Sequence, residues 1–192
     1  MNAALRAKAM IVDPAAEWKR IEQESTDPFF LLSRYVVWLA LVPAVFGFIG
    51  ACVVGVIGPG NAPVRAPLLD GLLAAVFCYG QTIAIVLLLA LIVNVLAPAL
   101  GGRKDFDSAF KLVVYSYTPV WLAGIFQLLP GLRFLMLAGF YGVYPLVAGL
   151  PLLMKPAAER TATCTAVIVA CACALTLTAA AAQRALFGAP QL

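Results

Sequence analysis

The chain has 192 residues, of which 64% are hydrophobic and 11% charged, with a formal net charge of +4. Water-soluble domains run near roughly 45–50% apolar and about 25% charged. So much apolar surface exceeds what one soluble core buries, which excludes a water-soluble globular protein and makes the positive charge a matter of membrane topology rather than nucleic-acid binding.

Residues 1–34 form the sizeable polar segment. Asp13-Pro14 reads as an N-cap followed by proline at the first helical position. Ala15, Trp18 and Ile21 then share one face, and Glu17, Lys19, Arg20, Glu22 and Glu24 cover the rest. Two placements fit this amphipathic helix: in the cytoplasmic membrane interface with Trp18 as anchor, or as a cap packed on a helix bundle. Thr26-Asp27-Pro28 ends it, and Phe29-Phe30 leads into the membrane.

The remaining charges leave five apolar gaps, each of at least 21 residues. About 20 apolar residues at ~1.5 Å each cross a ~30 Å hydrocarbon layer. Five transmembrane helices are therefore expected near residues 35–57, 70–100, 109–129, 132–154 and 161–183, with 184–192 as an external tail. A β-barrel would instead show alternating strands of ~10 residues. The fold class is an all-α integral membrane protein: a five-helix bundle behind a short cytoplasmic N-terminal helix. Lys and Arg divide ten to three between alternate sides, which places the N-terminus in the cytoplasm and the C-terminus outside.

Within the first helix, Gly47, Ala51 and Gly55 form a small-residue ridge, and the fifth carries a longer one through Ala162, Ala166, Ala170, Ala174, Thr178 and Ala182. Both are expected to pack inside the bundle. The loop 58–69, opening with Gly58-Pro59-Gly60-Asn61, is a non-helical turn. The third helix holds Tyr115-Ser116-Tyr117-Thr118-Pro119, where Pro119 frees the Tyr115 carbonyl at mid-membrane depth. Asn94 of the second helix lies at matching depth and is expected to face the third. The fourth helix is interrupted at Tyr141-Gly142-Val143-Tyr144-Pro145 and again at Gly149-Leu150-Pro151. Two adjacent, proline-broken, tyrosine-bearing helices are either kinks or the walls of a transport site.

Catalytic equipment is thin. The chain has no histidine, which excludes His-based triads and His-containing zinc motifs, and it has neither a P-loop nor a G-x-S-x-G sequence. No carboxylate lies deep in a span; Asp70, Asp105 and Asp107 sit at helix ends, where capping explains them. The intramembrane polar residues are Gln81, Asn94 and Gln127 besides Tyr, Ser and Thr. The five cysteines, Cys52, Cys78, Cys164, Cys171 and Cys173, read as small packing residues. No catalytic residue, cofactor or metal site is expected.

These residues also carry a resemblance. Pro14…Trp18…Ile21 is similar to the P-x-x-x-W-x-x-I segment of bacterial Yip family proteins, relatives of the Ypt/Rab-interacting membrane proteins. Ala97-Pro98-Ala99-Leu100-Gly101-Gly102 looks like their second-helix exit. The block from Tyr115 to Phe126, followed by Pro130, Tyr141-Gly142-Val143-Tyr144 and Gly149–Lys155, resembles them most. Pro145 departs from the aliphatic residue usual in that family. The resemblance covers about residues 11–180 and implies five spans with a cytoplasmic N-terminus. It also implies a non-enzymatic inner-membrane protein that organises the bilayer, or binds a protein partner on the cytoplasmic face or a second copy of itself. The second reading is a transporter or lipid-handling protein using the third and fourth helices.

Overall fold

The computed structural model describes residues 3–57 and 63–188. Two short helices, α1 (Ala3–Val12) and α2 (Pro14–Gln23), precede five long apolar ones: α3 (Pro28–Val54), α4 (Leu68–Leu96), α5 (Phe106–Leu128), α6 (Gly131–Leu153) and α7 (Thr161–Phe187). Each of the five is long and apolar enough to cross a membrane. The protein is a multi-pass helical membrane protein.

Helix boundaries follow local chemistry. The Asp13 side chain accepts the Ala16 N–H, which starts α2 at Pro14. Asp27 accepts the Phe30 N–H, so α3 starts at Pro28, seven residues before the span inferred from the charge gap. Arg34 therefore lies inside the helix. A two-residue antiparallel pairing, Val56 with Val64 and Ile57 with Pro63, folds the chain back before α4. The Gly58-Pro59-Gly60-Asn61 turn lies outside the described residues. Asp105 opens α5: its Oδ1 accepts from the Asp107 N–H at 3.1 Å, and its Oδ2 accepts from Ser108 Oγ at 2.9 Å and Arg103 at 2.6 Å. These donors hold its carboxyl below the usual carboxylate range despite desolvation, which acts the other way. The last helix runs to Phe187, through part of the segment expected to be a tail.

Helix α5 is the axis of the bundle. It is 78% buried along its most apolar window, against 11% for α7. It packs on α3, α4 and α6, whereas α7 lies outside against α4 and the end of α6. The α7 ridge from Ala162 to Ala182 is exposed, contrary to expectation; Cys164 and Ile168 are the buried residues of that helix. Small size at every fourth position permits close approach but does not compel it. The larger Ile168 supplies the apolar area that decides which face turns inward. On α3, a β-carbon on the ridge residue Gly47 would come within 2.9 Å of Gln127 Oε1, and one on Gly50, outside the ridge, would overlap the Gln127 backbone.

Helix α6 winds as a tight 3₁₀ helix from Pro130 to Gly142 and as an α-helix from Val143 to Leu153. The change of winding precedes Pro145, and glycine fixes its place. A β-carbon on Gly142 would come within 2.6 Å of the Ser116 carbonyl oxygen of α5.

Candidate functional site

The N-terminal segment is not an independent helix but a cap packed on the bundle, the second of the two placements its pattern allowed. Helix α1 folds back on α2, and the pair packs against α5 and α6 as a hairpin. Met10, Trp18 and Ile21 are buried within the protein. Trp18 is therefore not a lipid anchor, which corrects that expectation. Its indole N–H donates to the Pro145 carbonyl at 2.8 Å, and its ring meets Tyr115 edge-on at 5.9 Å between centroids. Gly149 leaves the space the indole fills, since a β-carbon there would overlap the ring. An apolar ring gains more in a packed protein slot with its N–H satisfied than in a headgroup layer.

Charge is buried beside it. Arg6 of α1 pairs with Glu17 of α2 and with Glu24 at 2.7 Å, and its guanidinium sits 5.9 Å from the Tyr115 ring centroid. Burial opposes the Arg6 charge, but the hydrogen bond to Glu24 and the neighbouring Glu24 and Glu17 carboxylates outweigh it and raise its pKa. Lys111, buried on α5, donates to the Glu24 carbonyl. Lys155 pairs with Glu22 at 3.2 Å, and Tyr141 donates to the Ile11 carbonyl at 2.8 Å. Trp18 of α2, Lys111 of α5, Tyr141 of α6 and Lys155 just past α6 thus tie the hairpin to the bundle.

Below this junction runs an aromatic stack. Tyr35 of α3 lies 5.1 Å from Tyr115 and shares a 2.8 Å hydrogen bond with the Thr118 hydroxyl. Trp121 follows, with Tyr117 6.1 Å from it. Helix α5 breaks at Tyr117 and restarts at Thr118, so Pro119 occupies a first-turn position where its missing N–H costs nothing. The Tyr117 N–H turns between the Val113 and Tyr115 carbonyls. Asn94 is buried on α4, which packs on α5, and its Oδ1 has no hydrogen-bond partner among the described residues. Gln81 Oε1, Ser116 Oγ and Trp121 Nε1 are likewise buried and unpartnered among these residues.

The structure brings Trp18, Tyr115, Thr118 and Gly149 into one junction and places Tyr117 at its edge. Tyr141 touches it only through Ile11, while Tyr144 and Pro151 are exposed. Thr118 is sealed under Tyr35 and Tyr144 faces outward, so Tyr117, Thr118 and Tyr144 do not line a common groove. Sequence reasoning missed Arg6, Glu17, Tyr35 and Lys111. Lys111 carried a usable signal, since it stands inside an apolar helix. Gln127 belongs to the other end of the bundle, against Gly47. The five cysteines are free.

A family model described as the Yip1 domain matches residues 8–181. No curated protein and no solved structure matches the chain.

Proposed function

The chain belongs to the Yip1 domain family, and on that premise we propose that it is a non-enzymatic bacterial inner-membrane protein whose N-terminal hairpin presents a protein-binding face to the cytoplasm. One observation carries the reading: the Arg6–Glu17–Glu24 cluster holds the hairpin together, and the buried Trp18 and Lys111 fix it to the bundle. A fixed hairpin spends little backbone ordering entropy when it binds. Its outward surface carries Lys8, Asp13, Lys19, Arg20, Glu22 and Gln23, all exposed. This mixed-charge face suits a protein surface better than a hydrocarbon one. The ten-to-three division of Lys and Arg supports the cytoplasmic side. A scaffold is favoured over transport because the broken helices α5 and α6 close on each other through Gly142 and Ser116 rather than parting around a polar path.

A photo-crosslinker placed at Lys19 in living bacteria tests this, with Leu72, exposed on α4, as control. A discrete protein adduct from Lys19 and none from Leu72 is expected. Adducts only to lipid from both positions would overturn the reading.

A further inference from the structure

Three arginines gather at the end of the bundle opposite the hairpin. Arg65 precedes α4, Arg133 begins α6 and Arg184 lies in the last turn of α7, and all three line one cavity of about 500 Å³. Each is the sole Lys or Arg of its stretch of chain, as no other occurs between Arg34 and Arg103, between Lys111 and Lys155, or after Arg160. They are also the three basic residues on the side where Lys and Arg are sparse. Asp70 is the one carboxylate lining the same space. Among the described residues, none of the three guanidiniums makes an ion pair or a side-chain hydrogen bond. Three converging positive charges against one negative leave an excess that an anion would neutralise, and guanidinium matches phosphate oxygens in geometry.

Under this cationic mouth the walls are apolar and small. Ala44, Gly47 and Ala51 of α3 face Gly71, Ala74 and Ala75 of α4. The lining reaches Cys78, ten residues along α4 from Leu68. At ~1.5 Å per residue that is ~15 Å, half of a ~30 Å hydrocarbon layer. The cavity is thus one leaflet deep, charged at its rim and apolar below. A volume of about 500 Å³ is within the range of roughly 300–1,000 Å³ that small-molecule sites occupy.

We propose that this cavity holds one anionic phospholipid, its phosphate among Arg65, Arg133 and Arg184 and an acyl chain in the slot between α3, α4 and α7. A soluble anion would use the mouth but leave the apolar slot unexplained. A neutral lipid would fill the slot but leave the arginine excess uncompensated. The site is separate from the N-terminal hairpin and stands or falls independently of the protein-binding role.

The test uses the full chain, delipidated in detergent and offered phosphatidylglycerol, phosphatidylcholine or inorganic phosphate, with native mass spectrometry as readout. One phosphatidylglycerol per chain should be retained, at least about tenfold over phosphatidylcholine, a ratio worth about 1.4 kcal/mol. Inorganic phosphate should not be retained. The triple change Arg65→Gln, Arg133→Gln, Arg184→Gln should abolish the preference, and Arg184→Gln alone, at an exposed side chain, should reduce it several-fold. Ala75→Leu, which fills the slot, should lower retention of both lipids. Equal retention of the two lipids, retention of phosphate alone, or an unchanged preference in a folded arginine variant would overturn the proposal.

Discussion

Gly149 and Trp18 should behave as one unit. A methyl group on Gly149 would overlap the indole ring, which is fully buried and hydrogen-bonded to Pro145. Gly149→Ala alone should therefore destabilise by about 1–3 kcal/mol, the usual cost of overpacking. Trp18→Ala alone should cost about 3–5 kcal/mol for the emptied site, and the lost hydrogen bond adds about 1 kcal/mol. With the indole gone, the methyl group has room. Gly149 lies inside the α-helical Val143–Leu153 stretch, where alanine is favoured over glycine by about 1 kcal/mol. In the Trp18→Ala background the sign should reverse, and Gly149→Ala should stabilise. Reversible unfolding in mixed micelles, run as a double-mutant cycle, measures this. If the two costs simply add, Gly149 is not glycine on account of Trp18, and the packing argument is wrong.

Three further outcomes follow from the same geometry. Arg6→Gln leaves Glu17 buried with only Arg20 beside it at 3.4 Å, and should destabilise by about 3–5 kcal/mol in an unfolding assay, whereas Arg6→Lys should cost less. Asp105 has a depressed pKa, so its capping contribution is present at neutral pH and lost as pH falls through its folded-state value, below the ordinary carboxylate range. Stability measured at stepwise lower pH should lose that component in Asp105→Asn, while Asp105→Ala should cost about 1 kcal/mol already at neutral pH. On α7, Ala170→Leu at the exposed ridge should change stability by no more than about 0.5 kcal/mol, but Ile168→Ala should cost about 2–5 kcal/mol. The reverse ranking would show that the ridge faces a partner helix.

Long-range composition made the spans legible. Charge gaps are as wide as a bilayer, so five helices follow from counting, and only their ends shift when Asp27 or Asp105 supplies a cap. The aromatic and proline cluster of α5 was visible as a motif for the same reason: its residues are close in sequence. The junction was only half legible because its partners are distant. Arg6 and Glu24 are 18 residues apart, and Trp18 and Pro145 are 127 apart. Periodicity showed that Trp18 had an apolar face but not whether lipid or protein covers it. The α7 ridge failed for a related reason: spacing describes a surface without naming its neighbour. For Asn94, counting gave the depth along the helix axis, but a hydrogen-bond partner also depends on rotation about that axis, which depth leaves free.

Quenching by brominated phospholipids tests the burial of Trp18 between hairpin and bundle most directly. Two single-tryptophan proteins are reconstituted in the same bilayers, one keeping Trp18 and one keeping Trp38, which is 63% exposed on α3. Trp38 should be strongly quenched and Trp18 spared, because hairpin and bundle enclose its ring on all sides. Quenching of Trp18 to the same extent as Trp38 would mean that the N-terminal segment lies in the lipid interface, and that the locked hairpin does not exist.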